Sequence, residues 1–312
     1  MRDEQQPIAS NLTDAITQFG GVRADWLDLS TGINPVFYPP PLLPAEAWTA
    51  RPDPAAFARL TGYARSFWNV PKGAAIVPAA GASAIIAALP HLREKGDVAL
   101  PATACADYMA AFVAAGWTPA TSRSNAIVAV HPNSPDGQAW TPDQLDAPFV
   151  IIDESYCDVA PDASLIHLAA RPNTVVIKSF GNFWGLAGLR LGFAIGDPAL
   201  LSGLRARLGQ WGVSGAALAV GAEALSDPAW AQDTRNRLAR DALRLDMIME
   251  AQGAPVIGGT SLFRLYEVAD ARAAQLHLAS HKIWSRTYAQ NANWLRLGLP
   301  APDNWGQIEA AF

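Results

Sequence analysis

The sequence predicts an α/β protein: a mainly parallel sheet with helices on both faces, followed by a smaller C-terminal α+β unit. Three observations carry this. Short runs rich in Val, Ile and Ala recur between residues 74 and 196 without polar alternation; Ala/Leu-rich helical stretches separate several of them; and beyond Gly196 the text turns helical before strand-like segments return. Unbroken apolar runs mark strands buried on both faces, which is what a helix-covered parallel sheet demands.

Residues up to about Pro71 are rich in proline and turn signals (NPVFYPPPLLP, ARPDP), and a helix is expected over Ala55–Trp68. The expected strands are AAIVPAA (74–80), DVALPA (97–102), AIVAVHP (126–132), FVIIDE (149–154), TVVIKSF (174–180) and RLGFAIG (190–196), with helices at Ser83–Leu92 and Asp107–Ala115. Residues Pro228–Gln252 interleave Arg and Asp with Leu, Ala and Met, the pattern of a long amphipathic helix. PVIGGTSLFRLYEV, KIWSRTYA and WLRLGLP read as strands around a further helix. The expected division is an N-terminal segment, 1–50, packing with the small domain, a large domain over 51–208 and a small one over 209–312. Ligands of such sheets gather outside the carboxyl ends of the strands.

Half of the 312 residues are hydrophobic, 16% are charged, and the formal net charge is −5. A sizeable core follows, and a nucleic-acid surface does not, because that needs a concentrated basic face. MRDEQQPIASNLTDAI lacks the pattern of a signal peptide and no run is apolar enough to cross a bilayer, so a soluble cytoplasmic protein with no membrane partner is expected. Cys105 and Cys157 have no metal-type spacing and read as small core or pocket residues; no metal site is expected.

Several short motifs fall at strand ends. Gly81, Ala82 and Ser83 follow a strand and open a helix, where a tight turn and free N–H groups can hold a phosphate; the same residues also read as an ordinary turn glycine and a capping serine. Asp153, in IIDESYCD, ends a hydrophobic strand with Tyr156 just beyond. A carboxylate there can pair with a protonated pyridine nitrogen, or cap a turn, or ligate a metal or nucleotide. Ser179 and Arg190 bracket Asn182, and a hydroxyl and a guanidinium can both grip phosphate oxygens.

The order of these motifs, with Tyr108 on the next helix, HPNSPDG, DESY and KSFGNFWGLAGLRLGF, resembles that of fold-type I pyridoxal-phosphate enzymes of the class I/II aminotransferase superfamily. Within it the chain is similar to the branch of histidinol-phosphate aminotransferase and L-threonine-O-3-phosphate decarboxylase, and WLDLSTGINP, NSPDG, GGTSLFRLYE and WLRLGLP resemble the decarboxylase segments. The resemblance implies a mainly parallel seven-stranded sheet and pyridoxal 5'-phosphate as cofactor. It puts Tyr108 where an aromatic or imidazole ring stacks on the cofactor, Asp153 at the pyridine nitrogen, and Tyr156, Asn133 and Ser134 around the 3'-oxygen. Gly81, Ala82, Ser83, Ser179 and Arg190 fall at the phosphate positions, Arg296 at the substrate α-carboxylate, and Asn34 in a segment that closes over substrate. Arg286 and His131 are guesses for the substrate phosphate. A homodimer is implied in the same way.

Three positions depart from the family pattern. Asn182 stands where the family has the lysine that joins the cofactor covalently, Ser134 replaces an asparagine, and Ala50-Arg51-Pro52-Asp53 lacks the tyrosine of an Arg-Tyr-Pro-Asp segment. A carboxamide has no nucleophilic amine and moves no proton at neutral pH. The other lysines are Lys72, Lys95, Lys178 and Lys282, and Lys178, four residues upstream, is not expected to substitute. Loss of a general acid/base costs about 10²–10⁴-fold in rate, so any cofactor is expected to be held non-covalently and any enzyme to be impaired. The expected reaction is decarboxylation of L-threonine O-3-phosphate to (R)-1-amino-2-propanol O-2-phosphate in cobalamin biosynthesis. Two alternatives stand beside it: a non-catalytic pseudoenzyme or partner subunit in corrinoid assembly, favoured by the joint drift of Ser134, Trp184 and the missing tyrosine, and a histidinol-phosphate-like aminotransferase.

Overall fold

A computed structural model describes residues 11–100, 106–121 and 124–312; Cys105 and the end of the 97–102 run lie outside the described residues. The large sheet has seven strands: β2 (Ala75–Ala79), β3 (Asp97–Ala99), β4 (Thr118–Ala120), β5 (Ala126–Val130), β6 (Phe149–Asp153), β7 (Thr174–Ser179) and β8 (Gly192–Gly196), in the order β2-β8-β7-β6-β5-β3-β4. β7, β6, β5, β3 and β4 run parallel to one another, and β8 runs antiparallel to both β7 and β2. The central strands β6 and β8 are buried along their whole length, in keeping with their unbroken apolar text. β4 was not expected from the sequence. Its three residues, Thr118-Pro119-Ala120, sit on the sheet edge, the place where a proline that cannot donate to the ladder is tolerated.

Helices flank this sheet. α3 (Pro54–Phe67) starts at Asp53, whose side chain accepts from Ala56 N, and matches the expected helix within a residue at each end. α4 (Ala82–Ala88) begins at Gly81, which has φ +84° and no side chain to cap with, and gives way to a 3₁₀ turn where Pro90 interrupts it. α5 (Ala106–Ala114) and α6 (Pro198–Leu208) complete the cover, while α7 (Gly215–Leu225), inside the expected small domain, packs on α3. The long helix α8 (Pro228–Ala251) leads to a four-stranded antiparallel sheet of β9 (Val256–Thr260), β10 (Phe263–Glu267), β12 (Arg286–Tyr288) and β13 (Asn291–Gly298), in the order β12-β13-β10-β9. α9 (Ala271–Ser280) packs on β13 and β12, and α10 (Trp305–Glu309) follows β13 in the chain.

The N-terminal segment carries α1 (Leu12–Phe19), β1 (Leu27–Asp28) and α2 (Glu46–Thr49). β1 pairs in parallel with β11 (Ile283–Trp284), and Gly298 N–H donates to Leu29 O at 2.7 Å, so the segment is tied to the smaller sheet. It then crosses to the large sheet, where Asn34 N–H donates to Asn182 O and Tyr38 N–H to Trp184 O, both at 2.9 Å. Among the described residues no helix is long and apolar enough to cross a membrane.

Candidate active site

A cavity of about 740 Å³ opens at the carboxyl ends of β5, β6 and β7, bordered by Val130, Asp153 and Ser179. Its other walls come from the start of α4 (Ala82, Ser83), the strap Ser30–Ile33, and the 286–290 turn with Arg296 from the smaller sheet. The site therefore lies where parallel-sheet topology puts ligands, and it is closed by chain from both ends of the sequence. The strap fits because residue 32 is glycine: a Cβ there would lie 2.8 Å from Phe263 Cδ1 and 3.0 Å from Tyr156 Cε1.

Strand alternation sorts the polar residues of β6 and β7 onto two sides. Asp153 and Ser179 face the cavity; Glu154 and Lys178, one residue along on each strand, face the opposite layer. Asp153 Oδ2 accepts from the Tyr108 hydroxyl at 2.8 Å, and Oδ1 accepts from Ser155 N at 2.9 Å and Ser155 Oγ at 2.5 Å. Burial pushes the Asp153 carboxyl above its ordinary range, against the pull of these hydrogen bonds. A carboxylate offers about four acceptor positions, and three donors among the described residues leave one for a ligand.

On the far side Lys178 Nζ lies 2.6 Å from Glu154 Oε2 and 3.4 Å from Asp158 Oδ1, with Lys178 and Glu154 almost wholly buried. Burial acts to lower the Lys178 amine, but the two acids outweigh it and hold it above the usual lysine range. For Glu154 burial acts upward, and Lys178 with hydrogen bonds from Ser164 and Leu165 brings the carboxyl below its ordinary value. Lys178 is thus a protonated structural cation on the wrong face to serve Asn182, and no lysine borders the cavity among the described residues.

Asn182 does border it. Its Nδ2 donates to Ser155 O at 3.0 Å, and its backbone carbonyl accepts from Asn34 N at 2.9 Å and Gly185 N at 3.1 Å. Ser179 Oγ accepts from Gly181 N at 3.2 Å, and Ser83 stands across from it in the first turn of α4. Arg190 is in the left-handed region at φ 54°, and its guanidinium lies over Gly81, where an added Cβ would be 2.8 Å from Nη2. Ala82, Ser83 and Ser179 thus border the cavity, while Arg190, packed on Gly81, does not, and its Nη1 donates to Ala187 O at 3.1 Å; Tyr156 borders the cavity with its ring edge-on to Phe263.

Arg296 is 5% exposed. Nη1 donates to Ser134 Oγ at 2.7 Å, Nη2 donates to Ser30 O, the guanidinium lies over the Phe263 ring, and Nε has no hydrogen-bond partner among the described residues. Ser134 thus turns to Arg296. Arg286 is the cross-strand partner of Arg296, and both border the cavity.

Four expected residues are placed differently. The Tyr108 ring does not border the cavity, because α5 turns Tyr108 and Phe112, four residues apart, into the core; its hydroxyl reaches Asp153 from behind, leaving Ala106 and Asp107 on the wall. Asn34 is buried off the cavity, with Nδ2 donating to Phe183 O at 2.8 Å and Oδ1 accepting from Arg237 Nη2 at 2.5 Å, so it clamps the strap to the Asn182 loop. Asn133 Nδ2 donates to Asp136 Oδ1 at 2.8 Å, inside its own turn. His131 accepts from Trp140 N at Nδ1 (3.0 Å) and meets Ala163 O at Nε2 (2.7 Å), out of reach of a ligand. With Glu154 and Cys157 it forms a compact trio, but those protein partners occupy His131 and Glu154, and burial pushes the Cys157 thiol up to about 12.

Sequence reasoning missed Arg237 and Tyr288. Arg237 reads as one of several arginines on an amphipathic helix, and nothing in the text singles it out. Tyr288 had a partial signal, being two residues from Arg286, but the register of the strand shifts between Thr287 and Tyr288, so alternation alone does not place it.

Residues 113–307 match the family model for aminotransferase class I and II. Threonine-phosphate decarboxylase from Pseudomonas aeruginosa is 35% identical over 96% of this chain and 95% of its own length, and the protein of that name from a Sinorhizobium species is 33% identical with the same coverage. The crystal structure of histidinol-phosphate aminotransferase from Sinorhizobium meliloti in complex with pyridoxal-5'-phosphate superposes with a TM-score of 0.83 at 17% identity, covering 98% of this chain and 94% of that one. Sequence likeness along nearly the whole length, joined to the same arrangement of sheets, makes this chain a member of the class I and II aminotransferase family.

Proposed function

We propose that the cavity binds pyridoxal 5'-phosphate non-covalently together with a phosphorylated amino acid, and that its reaction, where it turns over, is decarboxylation of L-threonine O-3-phosphate to (R)-1-amino-2-propanol O-2-phosphate for cobalamin biosynthesis. The residues present suit the cofactor. The one acceptor position left on buried Asp153 suits a protonated ring nitrogen, whose charge offsets the cost of the buried carboxylate. Ser83 and Ser179 line the cavity and the glycine at 81 leaves room for the Arg190 guanidinium at the start of α4, donors suited to a phosphate. When bound, the cofactor supplies an electron sink for the pair left on the substrate Cα as CO₂ departs.

One observation carries the substrate class. Arg286 and Arg296 face each other across β12 and β13 on the cavity wall, with no ion pair to either among the described residues. Like charges directly opposite in a sheet are destabilising, so the wall is built for a ligand with two anionic groups, a carboxylate and a phosphate. Arg296, fixed by Ser134 and Ser30, takes the carboxylate; Arg286, more exposed, takes the phosphate. The proton that replaces CO₂ comes from a wall hydroxyl or water, since an amide cannot deliver it.

A second reading, a pseudoenzyme or partner subunit that binds without turnover, is favoured by the engaged Asn182 amide and by Ser134 turned to Arg296. In either case the working unit is a homodimer. Borohydride treatment of the protein with pyridoxal phosphate should fix no cofactor to the chain; a reduced, cofactor-bearing lysine peptide would refute the reading of Asn182. The Asn182→Lys variant should take up cofactor covalently and release CO₂ from O-phospho-L-threonine. Covalent uptake with no turnover would eliminate the decarboxylase and leave the pseudoenzyme.

A further inference from the structure

Arg286 and Tyr288 of β12 both border the cavity, the register of β12 on β13 shifting between Thr287 and Tyr288, and the Tyr288 ring meets Trp294 of β13 edge-on at 6.2 Å and 78°. Arg286, Tyr288 and Arg296 therefore all border one cavity, with Trp294 packed against the Tyr288 ring. The Tyr288 hydroxyl is buried with no hydrogen-bond partner among the described residues. Buried tyrosine hydroxyls ordinarily find a partner, because a donor taken from water and given nothing is costly. The Arg286 Cζ lies 5.7 Å from the Tyr288 ring centroid, and a guanidinium offers only donors. The acceptor for the phenolic proton has to arrive with a ligand, and a ligand drawn to Arg286 is an anion.

We propose that Tyr288 is a substrate-contacting residue whose hydroxyl donates to the phosphate of the amino acid held between Arg286 and Arg296. This rests on the reading of the cavity as a site for a phosphorylated amino acid. It makes Tyr288 a determinant of specificity: the phosphate satisfies the buried hydroxyl, and an amino acid without one leaves it orphaned.

The test compares O-phospho-L-threonine with L-threonine, titrated by tryptophan fluorescence into protein kept at a constant, saturating concentration of pyridoxal phosphate, with a protein-free blank for each amino acid. Tyr288→Phe should weaken O-phospho-L-threonine by about 10- to 100-fold, the worth of a hydrogen bond to a charged group, and leave L-threonine unchanged. The ligand-free variant should unfold no earlier than the parent, because no protein hydrogen bond is removed. Unchanged affinity for the phosphorylated ligand, or equal weakening of both, overturns the role of Tyr288 alone. A parent protein that does not prefer O-phospho-L-threonine to L-threonine overturns the substrate class and the role of Tyr288 with it.

Discussion

Replacing Lys178 by Met keeps the aliphatic stem and removes the charge from a site with two buried carboxylates. At 2.6 Å and an effective dielectric constant near 20, the Lys178–Glu154 attraction is about 6 kcal/mol before the cost of removing both groups from water is set against it. That cost is several kcal/mol per ion, so the intact pair is close to neutral; what the variant exposes is the penalty of Glu154 left buried alone. Breaking one partner of a buried pair costs about 3–5 kcal/mol, a large share of the roughly 5–15 kcal/mol that keeps a domain folded. Urea titration should show the midpoint falling with an unchanged slope. The pH dependence has a definite sign. Against the upward push of burial, Lys178 and hydrogen bonds from Ser164 and Leu165 hold Glu154 below its ordinary pKa, and its contribution is present above the unfolded value and lost as pH falls through the folded one. In the variant the lone Glu154 titrates upward, so the deficit should shrink between about pH 7 and pH 4 as protonation relieves the buried charge. Lys178→Met combined with Glu154→Gln should recover part of the loss. A single variant losing under about 1 kcal/mol, or a double variant no better than the single, would refute the reasoning.

Two further substitutions test the cavity itself. The Asp153 carboxyl is raised by burial, so its contribution to folding is full below the unfolded pKa and is lost as pH rises through the folded value. Asp153→Asn should therefore unfold at an equal or higher temperature than the parent at pH 7, lose that advantage toward pH 4, and retain no pyridoxal phosphate after gel filtration. Gly192→Ala would put a Cβ 2.6 Å from Ala82 N and 2.8 Å from Gly81 C, both backbone atoms. About 1–3 kcal/mol of stability should be lost, together with cofactor affinity, as the start of α4 shifts. Gly62→Ala, in the middle of α3 with open space at its Cβ, should instead stabilise by about 0.5–1 kcal/mol in the same thermal assay.

The seven-stranded sheet was legible because burial on both faces erases alternation: AIVAV, FVIID and TVVIKS are strands by their text and strands in the molecule. The same property hid the direction of each side chain. A run buried on both sides does not say which neighbour faces the ligand, and only the ends of β6 and β7 show that Asp153 and Ser179 look one way and Glu154 and Lys178 the other. Lys178 stands inside an apolar run, but its acids lie just past the end of the neighbouring strand β6 and on the turn beyond it. Asn34 and Tyr108 were placed near the site by resemblance, and the structure sends Asn34 to Phe183 and Arg237 and turns the Tyr108 ring into the core, both decided by packing at long sequence separation. The boundary at residue 209 reflected a change in the text, but α7 returns to pack on α3, because an Ala-rich helix carries no mark of which layer it covers.

On the reading that Asn182 occupies the lysine position, the carboxamide is bonded into the site. Its Nδ2 ties the loop after β7 to Ser155, the residue whose N–H and hydroxyl both serve Asp153. The second departure, Ser134, is likewise engaged, holding Arg296 in place at 2.7 Å, and the third puts Arg51 over the Trp211 ring at 4.9 Å. A lone recent loss of an amine would leave its surroundings arranged for a longer, charged side chain. Here all three substituted positions have partners of their own, while Ser83, Ser179, Arg286 and Arg296 still border the cavity. Such a site keeps the hydrogen-bonding and ionic part of cofactor affinity and gives up the covalent part. Its occupancy must therefore follow free cofactor concentration, and unfolding of the protein should be delayed in proportion to the logarithm of added pyridoxal phosphate.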